Sequence, residues 1–440
     1  MEIEDYLNSS FSCSCGREHK VPIREIVVEE DALLKVPEIM KELTDKSRLY
    51  IIGDKNTFGA AGSRLAAICR KNDYKVNKVI LEGEHVVPDP DTLFKILEKV
   101  EADGYMVACG SGTINDITRY LSYKLNKPYT IVGTAPSMDG YASSVAPLTV
   151  DGVKKTYNAA PPEAIIADLD VLKDAPWRMI QSGFGDLLGK YTSLLDWKLS
   201  KILLNEYYCA QAERIVREEL TNIMEIGSEL KDRSRESIKV LTKGLIKSGL
   251  AMLMVESSRP ASGSEHHFSH FLELYGSLFD QGIPSHGNKV GLGTYFTSSL
   301  YLKLSEVDFS RIELNHDRSS RKEDIKEIYG ERAEPVIDNL NERWKNELIS
   351  EDRLEQKEDK IKKLIRESSK SLENVRRYLD QIGILEREDV RALDTDWIKK
   401  GLKFGFEIRN RYTISTLLRQ AGLLENWSDE MVDSYCQKVL

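Results

Sequence analysis

The chain has 440 residues, 41% hydrophobic and 30% charged, with a formal net charge of −9. A single hydrophobic core stops growing at about 250–300 residues, so this length calls for two domains. No run of about 20 apolar residues could span a bilayer, the acidic start from Met1 to Asp5 lacks the parts of a secretory signal, and the negative balance disfavours nucleic-acid backbones; the expectation is a cytoplasmic protein, with no membrane or nucleic-acid partner, that holds a small ligand in a local site.

The first chemical feature is Cys13-x-Cys15 with His19. Its one-residue spacing is unlike common zinc knuckles, so a local turn around reduced thiols is the plainer reading. Short β-branched runs then alternate with helical patterns, which predicts a parallel sheet covered by helices. Strands are expected at 48–53, 76–81, 104–109, 129–132 and 164–167, with helices near 59–72, 90–102 and 114–125. After about residue 175 the strand signals stop and long amphipathic patterns take over, at 177–201, 206–231 and 234–256. The expected fold is therefore an α/β Rossmann-like domain over 1–174, then an all-α domain over 175–440. The highly charged stretch 318–400 reads as solvated helix faces.

Two loops at strand ends suit a dinucleotide. Gly110, Ser111, Gly112, Thr113 and Ile114 follow the 104–109 strand and open a helix, where glycines admit phosphates to backbone N–H groups and the helix start favours an anion. The six-residue Gly-x-Gly-x-x-Gly fingerprint is absent, so taken alone the loop is equally a tight turn. The second loop runs from Gly133 to Ser144 and is dense in hydroxyls and small residues. Asp54, directly after the first strong strand, could accept from an adenosine ribose and repel a 2′-phosphate, which leans towards NAD over NADP.

Four of the seven histidines, His266, His267, His270 and His286, fall within 21 residues. His266 and His270 share a face if that segment is helical. Asp186, in Gly183-Phe-Gly-Asp186, adds a carboxylate among small residues. One Asp and two His make a three-ligand site with an open position, the pattern of catalytic metals. Such an ion polarises a carbonyl for hydride attack.

Together Gly110-Ser-Gly-Thr113, Thr134-Ala-Pro-Ser-Met-Asp-Gly140, Gly185-Asp186, Ser262-Gly-Ser-Glu-His266 and Ser285-His-Gly287 resemble the sn-glycerol-1-phosphate dehydrogenases, in the glycerol dehydrogenase-like branch of the iron-containing alcohol dehydrogenase superfamily. The tail from Ile408 to Thr413 and from Gly422 to Glu425 also looks like bacterial members. The resemblance implies a dehydroquinate synthase-like fold and a metal-dependent, NAD(H)- or NADP(H)-linked reduction of dihydroxyacetone phosphate to sn-glycerol 1-phosphate, a lipid precursor. It implies Asp186, His266 and His286 as metal ligands, with Asp139, Asp186 and His270 on the substrate. Gly110 to Ile114, Thr134, Ala135, Pro136, Ser137 and Ser143 would touch the cofactor. Zinc is the expected metal, with nickel or iron as alternatives, and a homo-oligomer is expected. The rivals are a glycerol dehydrogenase acting on unphosphorylated glycerol and a lyase resembling dehydroquinate synthase. The first is separated by its phosphate pocket, for which Arg259, Lys154, Lys155 and Lys289 are candidates. The second should crowd Lys and Arg around the metal, and the stretch 262–287 has none.

Overall fold

The computed structural model describes residues 3–83, 86–150, 153–227, 229–279 and 282–439. Its strands, in chain order, are β1 (Ser9–Ser12), β2 (Glu18–Val21), β3 (Glu25–Glu29), β4 (Arg48–Asp54), β5 (Lys75–Leu81), β6 (Tyr105–Gly110), β7 (Tyr129–Gly133), β8 (Val145–Val150), β9 (Val153–Asn158) and β10 (Ala164–Asp168). Six of them form one sheet in the order β3-β10-β7-β6-β4-β5, every pair parallel. The strands β6, β7 and β10 are buried along their whole length, as near-continuous apolar runs covered on both faces should be.

All five expected strands are present, each displaced by no more than a residue at either end. The edge strand β3 is additional, as are two antiparallel hairpins, β1 with β2 and β8 with β9. From β4 the chain steps outward to β5, then crosses back to place β6 on the other side of β4. The strand order thus reverses between β4 and β6, and crevices at the carboxyl ends of such strands are where open α/β sheets take ligands. Asp54 ends β4 and Gly110 ends β6.

Two compact units are distinguished: Met1–Leu187 with Arg214–Ser257, and Leu188–Glu213 with Ser258–Leu440. The first holds the sheet, and its core joins Ile51, Val107, Val132 and Ile166 to Leu65 and Val36. Helix Arg235–Val255 belongs to this unit and buries 14 of its residues. The second unit is helical throughout its described residues, with cores around Phe268, Phe271 and Phe296 and around Leu199, Tyr301 and Ile361. Helix Trp177–Leu204 is continuous and contributes residues to both units. Among the described residues no helix is long and apolar enough to cross a membrane.

The charged stretch after 318 forms helices Arg318–Tyr329, Ala333–Glu347 and Glu351–Gln381. The last buries Leu354, Ile361, Leu364, Ile365, Leu372, Val375 and Leu379 at helical spacing and leaves most of its charges in solvent. Not all charges here are solvated. Arg321, Arg343, Glu347 and Glu407 are buried together as two cations and two anions.

Candidate active site

In the first unit, the strand ends present both sequence-predicted loops on adjacent strands β6 and β7. Gly110 leads into helix Gly112–Leu125, whose cap residue Ser111 makes no side-chain bond to the helix. The leading N–H groups of that helix are therefore left to an outside acceptor, and an anion suits them. A β-carbon on Gly110 would stand 2.5 Å from Cβ of Ile114, so the turn requires glycine. Thr134 N–H donates to Gly110 O at 3.0 Å, which ties the second loop to the first. Thr134, Ala135, Pro136 and Ser137 are buried, and the Ser143 hydroxyl bonds locally to Val145. The Asp54 carboxylate caps the short helix Lys55–Thr57 by accepting from Thr57 N–H at 2.8 Å.

Sequence reasoning missed the residue that shapes the second loop. Arg119 is fully buried and donates to Gly140 O, Val145 O (2.9 Å), the Tyr129 hydroxyl (3.2 Å) and Asp116 (2.7 Å). Asp139, next to Gly140, has its backbone N–H on the Asp186 carboxylate at 2.9 Å and its own carboxylate on the Ser248 hydroxyl at 3.0 Å. The structure thus brings together Asp139 and Asp186. Gly183, three residues before Asp186, explains the small-residue segment: a β-carbon there would stand 1.8 Å from Pro136 O.

In the second unit the imidazoles gather. Ring centroids of His266 and His286 are 5.3 Å apart, with His270 at 6.2 and 6.0 Å from them. His266 lies in the first turn of helix Ser264–Phe279, and His286 opens helix His286–Leu304. Their partners differ in kind from those of His270. His266 Nδ1 is 2.8 Å from Glu265, and His286 Nδ1 is 3.2 Å from Glu273. A carboxylate accepts only, so Nδ1 carries the hydrogen and the neutral ring keeps its lone pair on Nε2, the usual state of a metal-bound imidazole. For His270 the order is reversed, because Arg409 donates to its Nδ1 at 3.4 Å. Its hydrogen must then sit on Nε2. Burial and the Arg409 charge hold His270 well below the ordinary imidazole pKa, so it is a neutral donor.

Glu265 is fully buried and also accepts from Gly263 N–H at 2.6 Å and the Thr192 hydroxyl at 2.7 Å. Burial alone would raise its pKa, but His266 and these donors outweigh it and hold the carboxyl below its usual range. His267, between the two candidate residues, is buried, and among the described residues neither ring nitrogen finds a hydrogen-bond partner. Burial, then Arg411 and Arg409, keep it neutral.

Basic residues reach this cluster from far along the chain. Arg409 meets His270, and Arg411 donates to Ser262 O at 3.1 Å and the Ser258 hydroxyl at 2.6 Å. Among the described residues neither forms an ion pair. Burial, together with Arg259 and Arg409, drives the Arg411 pKa down to about 9, and burial lowers Arg409 as well. The lack of basic residues flanking the histidines in sequence therefore does not separate this site from a lyase, since tertiary structure supplies them. The phosphate candidates read from sequence are otherwise engaged or exposed. Arg259 is paired with Glu206, Lys289 lies on Glu273 and Pro284 O, and Lys155 is exposed on β9; the Lys154 side chain lies outside the described residues.

Residues 27–176 match the family of iron-containing alcohol dehydrogenases. The glycerol-1-phosphate dehydrogenase, NAD(P)+-linked, of Halalkalibacterium halodurans is 38% identical over 66% of this chain and 73% of that protein. The enzyme of the same name from Bacillus licheniformis is 31% identical over 94% of this chain and 93% of its own length. The chain belongs to the glycerol-1-phosphate dehydrogenase family. This membership makes it an NAD(P)-dependent, metal-dependent alcohol dehydrogenase. Solved structures agree on the fold of the family: glycerol dehydrogenase of Schizosaccharomyces pombe matches with a TM-score of 0.62 at 15% identity, over 94% of this chain and 91% of that one. The iron-containing alcohol dehydrogenase of Thermococcus thioreducens gives 0.60 at 14% identity, over 95% and 99%.

Proposed function

We propose that the chain reduces dihydroxyacetone phosphate to sn-glycerol 1-phosphate with NADH or NADPH, supplying a glycerophospholipid backbone. The observation that carries the phosphorylated substrate is the pair Arg409 and Arg411, two guanidinium groups without a carboxylate partner among the described residues, one of them bonded to His270. A free diol such as glycerol offers no charge to offset them; a phosphate does, and forks of guanidinium donors match its oxygens.

For the metal, the donor set fits. His266 and His286 each keep Nε2 available through a carboxylate on Nδ1, and Asp186 is the third ligand we assign. Its position on helix Trp177–Leu204 supports this. Three residues later, about 4.5 Å along the helix, Gly189 lies so close to Glu265 and Val290 that a β-carbon would stand 3.3 and 2.7 Å from them. Those two neighbours belong to the helices that carry His266 and His286. When bound, a divalent cation, zinc first by its borderline preference for imidazole and with nickel or iron accepted by the same ligands, supplies carbonyl polarisation while the nicotinamide supplies the hydride.

The chain's own residues do the rest. The 110–114 turn and the buried 134–137 segment hold the cofactor phosphates, and Asp54 takes the ribose, which favours NAD. The Asp139 side chain, fixed by Ser248, orients substrate, and Asp186 is steadied by the Asp139 N–H. His270 keeps a hydrogen on Nε2 for a substrate oxygen while Arg409 holds its other nitrogen.

The test uses purified, metal-loaded enzyme with NADH or NADPH and either dihydroxyacetone phosphate or free dihydroxyacetone, followed by stereochemical assay of the product. Losing a charged hydrogen bond costs about 1.5–3 kcal/mol, so Arg409→Met and Arg411→Met should each raise KM for the phosphorylated substrate by roughly 10- to 150-fold. The rate with free dihydroxyacetone should stay as in wild type in Arg411→Met and fall in Arg409→Met, which also loses the donor on His270 Nδ1. Faster turnover of free glycerol than of glycerol 1-phosphate would reverse the assignment.

A further inference from the structure

The turn between β1 and β2 carries a second group of metal-type donors, remote in sequence from the residues given catalytic roles. We propose that Cys13, Cys15 and His19 hold a structural zinc ion by three of its four positions. The turn is tight: Gly16 N–H donates to Cys13 O and Cys13 N–H to Arg17 O, both at 3.0 Å. Gly16 stands at a φ of 86°, in the left-handed region that favours glycine. Within this turn a ligand atom from each of Cys13, Cys15 and His19 lies within 4.8 Å of the other two.

Cys15 Sγ and His19 Nε2 are 3.3 Å apart. Zinc bonds of about 2.3 Å to sulfur and 2.0–2.1 Å to nitrogen, at a tetrahedral angle, set those atoms about 3.6 Å apart. A plain thiol–imidazole hydrogen bond accounts for one such distance, but not for a second thiol converging on the same point. His19 adds an independent sign. It is buried, and its Nδ1 meets Met254 O at 2.6 Å. A carbonyl accepts only, so Nδ1 carries the hydrogen and Nε2 turns its lone pair to the sulfurs, as in a metal-bound histidine held by its outer neighbour. Two thiolates and an imidazole suit zinc and not the harder magnesium or calcium. Each thiol gives its proton to solvent as the ion binds.

Cobalt(II) substituted into the whole protein tests this without any mutation, because a centre of Asp and His gives no thiolate-to-cobalt charge-transfer band. The band is expected in the wild-type protein and in His266→Ala, which lacks a ligand only of the catalytic centre, and it should vanish in a Cys13→Ser, Cys15→Ser double variant. Zinc-loaded, dialysed wild type should retain one more ion per chain than that double variant. Absence of the band from cobalt-loaded wild type, or its survival in the double variant, overturns the site.

Discussion

Glu265 offers the sharpest test of how the histidine cluster is held. In Glu265→Ala the Gly263 N–H and His266 Nδ1–H both lose their acceptor, while Thr192 still has Gly189 O at 2.9 Å. Each orphaned buried donor costs about 1–3 kcal/mol, so two cost about 2–6 kcal/mol. Glu265→Gln is the informative companion. Its amide oxygen can accept from the same two donors and its NH₂ can donate to the Thr192 hydroxyl, so the shape is kept and only the charge is lost. Removing a carboxylate behind a metal-bound histidine costs 10- to 100-fold in affinity, about 1.4–2.7 kcal/mol. Chelator competition should therefore show weaker metal binding in Glu265→Gln, with thermal stability near wild type and kcat restored at saturating metal. Wild-type metal affinity in Glu265→Gln would refute the claim that the charge of this carboxylate strengthens His266 as a ligand.

Two further outcomes are expected. Gly183→Ala must push the Pro136 carbonyl away, since its β-carbon would stand 1.8 Å from that oxygen; the KM for NADH should rise more than the KM for substrate, and equal shifts in both would count against a cofactor role for the 134–137 loop. Asp196 is pushed up to about 6 by burial and by Glu265, against donors from Ile414, Ser264 and Tyr301. Its folded pKa lies above the unfolded value of about 3.9, so its contribution to stability is full below pH 4 and is lost as pH rises through 6, by about 3 kcal/mol. Thermal melts across pH 4 to 7 should show this fall in wild type and a flatter profile in Asp196→Asn; identical slopes would remove Asp196 as its source.

What the sequence disclosed depended on how local the cause was. β4 and β6 are legible because an apolar run ends in a glycine that a sterically crowded turn requires, and both causes lie within a few residues. β3 escaped notice because Glu25 and Glu29 bracket only three apolar residues, too few for a period to show. The histidines announced themselves by spacing, yet their division into ligand and donor depends on what each Nδ1 meets. For His266 that partner is the residue immediately before it. For His270 it is Arg409, 139 positions away, and no spacing rule reaches so far. Arg119 was hidden for a related reason: a lone arginine on a helix reads as a surface charge until the loop that covers it is known.

The highly charged stretch after residue 318 now has a structural role. Arg343 donates to Phe406 O and Arg409 O, both at 3.0 Å, and to the Glu407 carboxylate, while Arg321 joins Glu407 to Glu347. As a source of stability such a buried network is a poor choice, because well-packed apolar residues often do as well or better. Apolar side chains could not, however, donate to the backbone carbonyls of 406 and 409. The network fixes the path of the main chain from Phe406 to Arg409, and this segment delivers one guanidinium to His270 and, two residues on, another to Ser258 and Ser262. On this account the charges of the extended helical region serve the substrate phosphate at one remove, by setting where two unpaired cations stand.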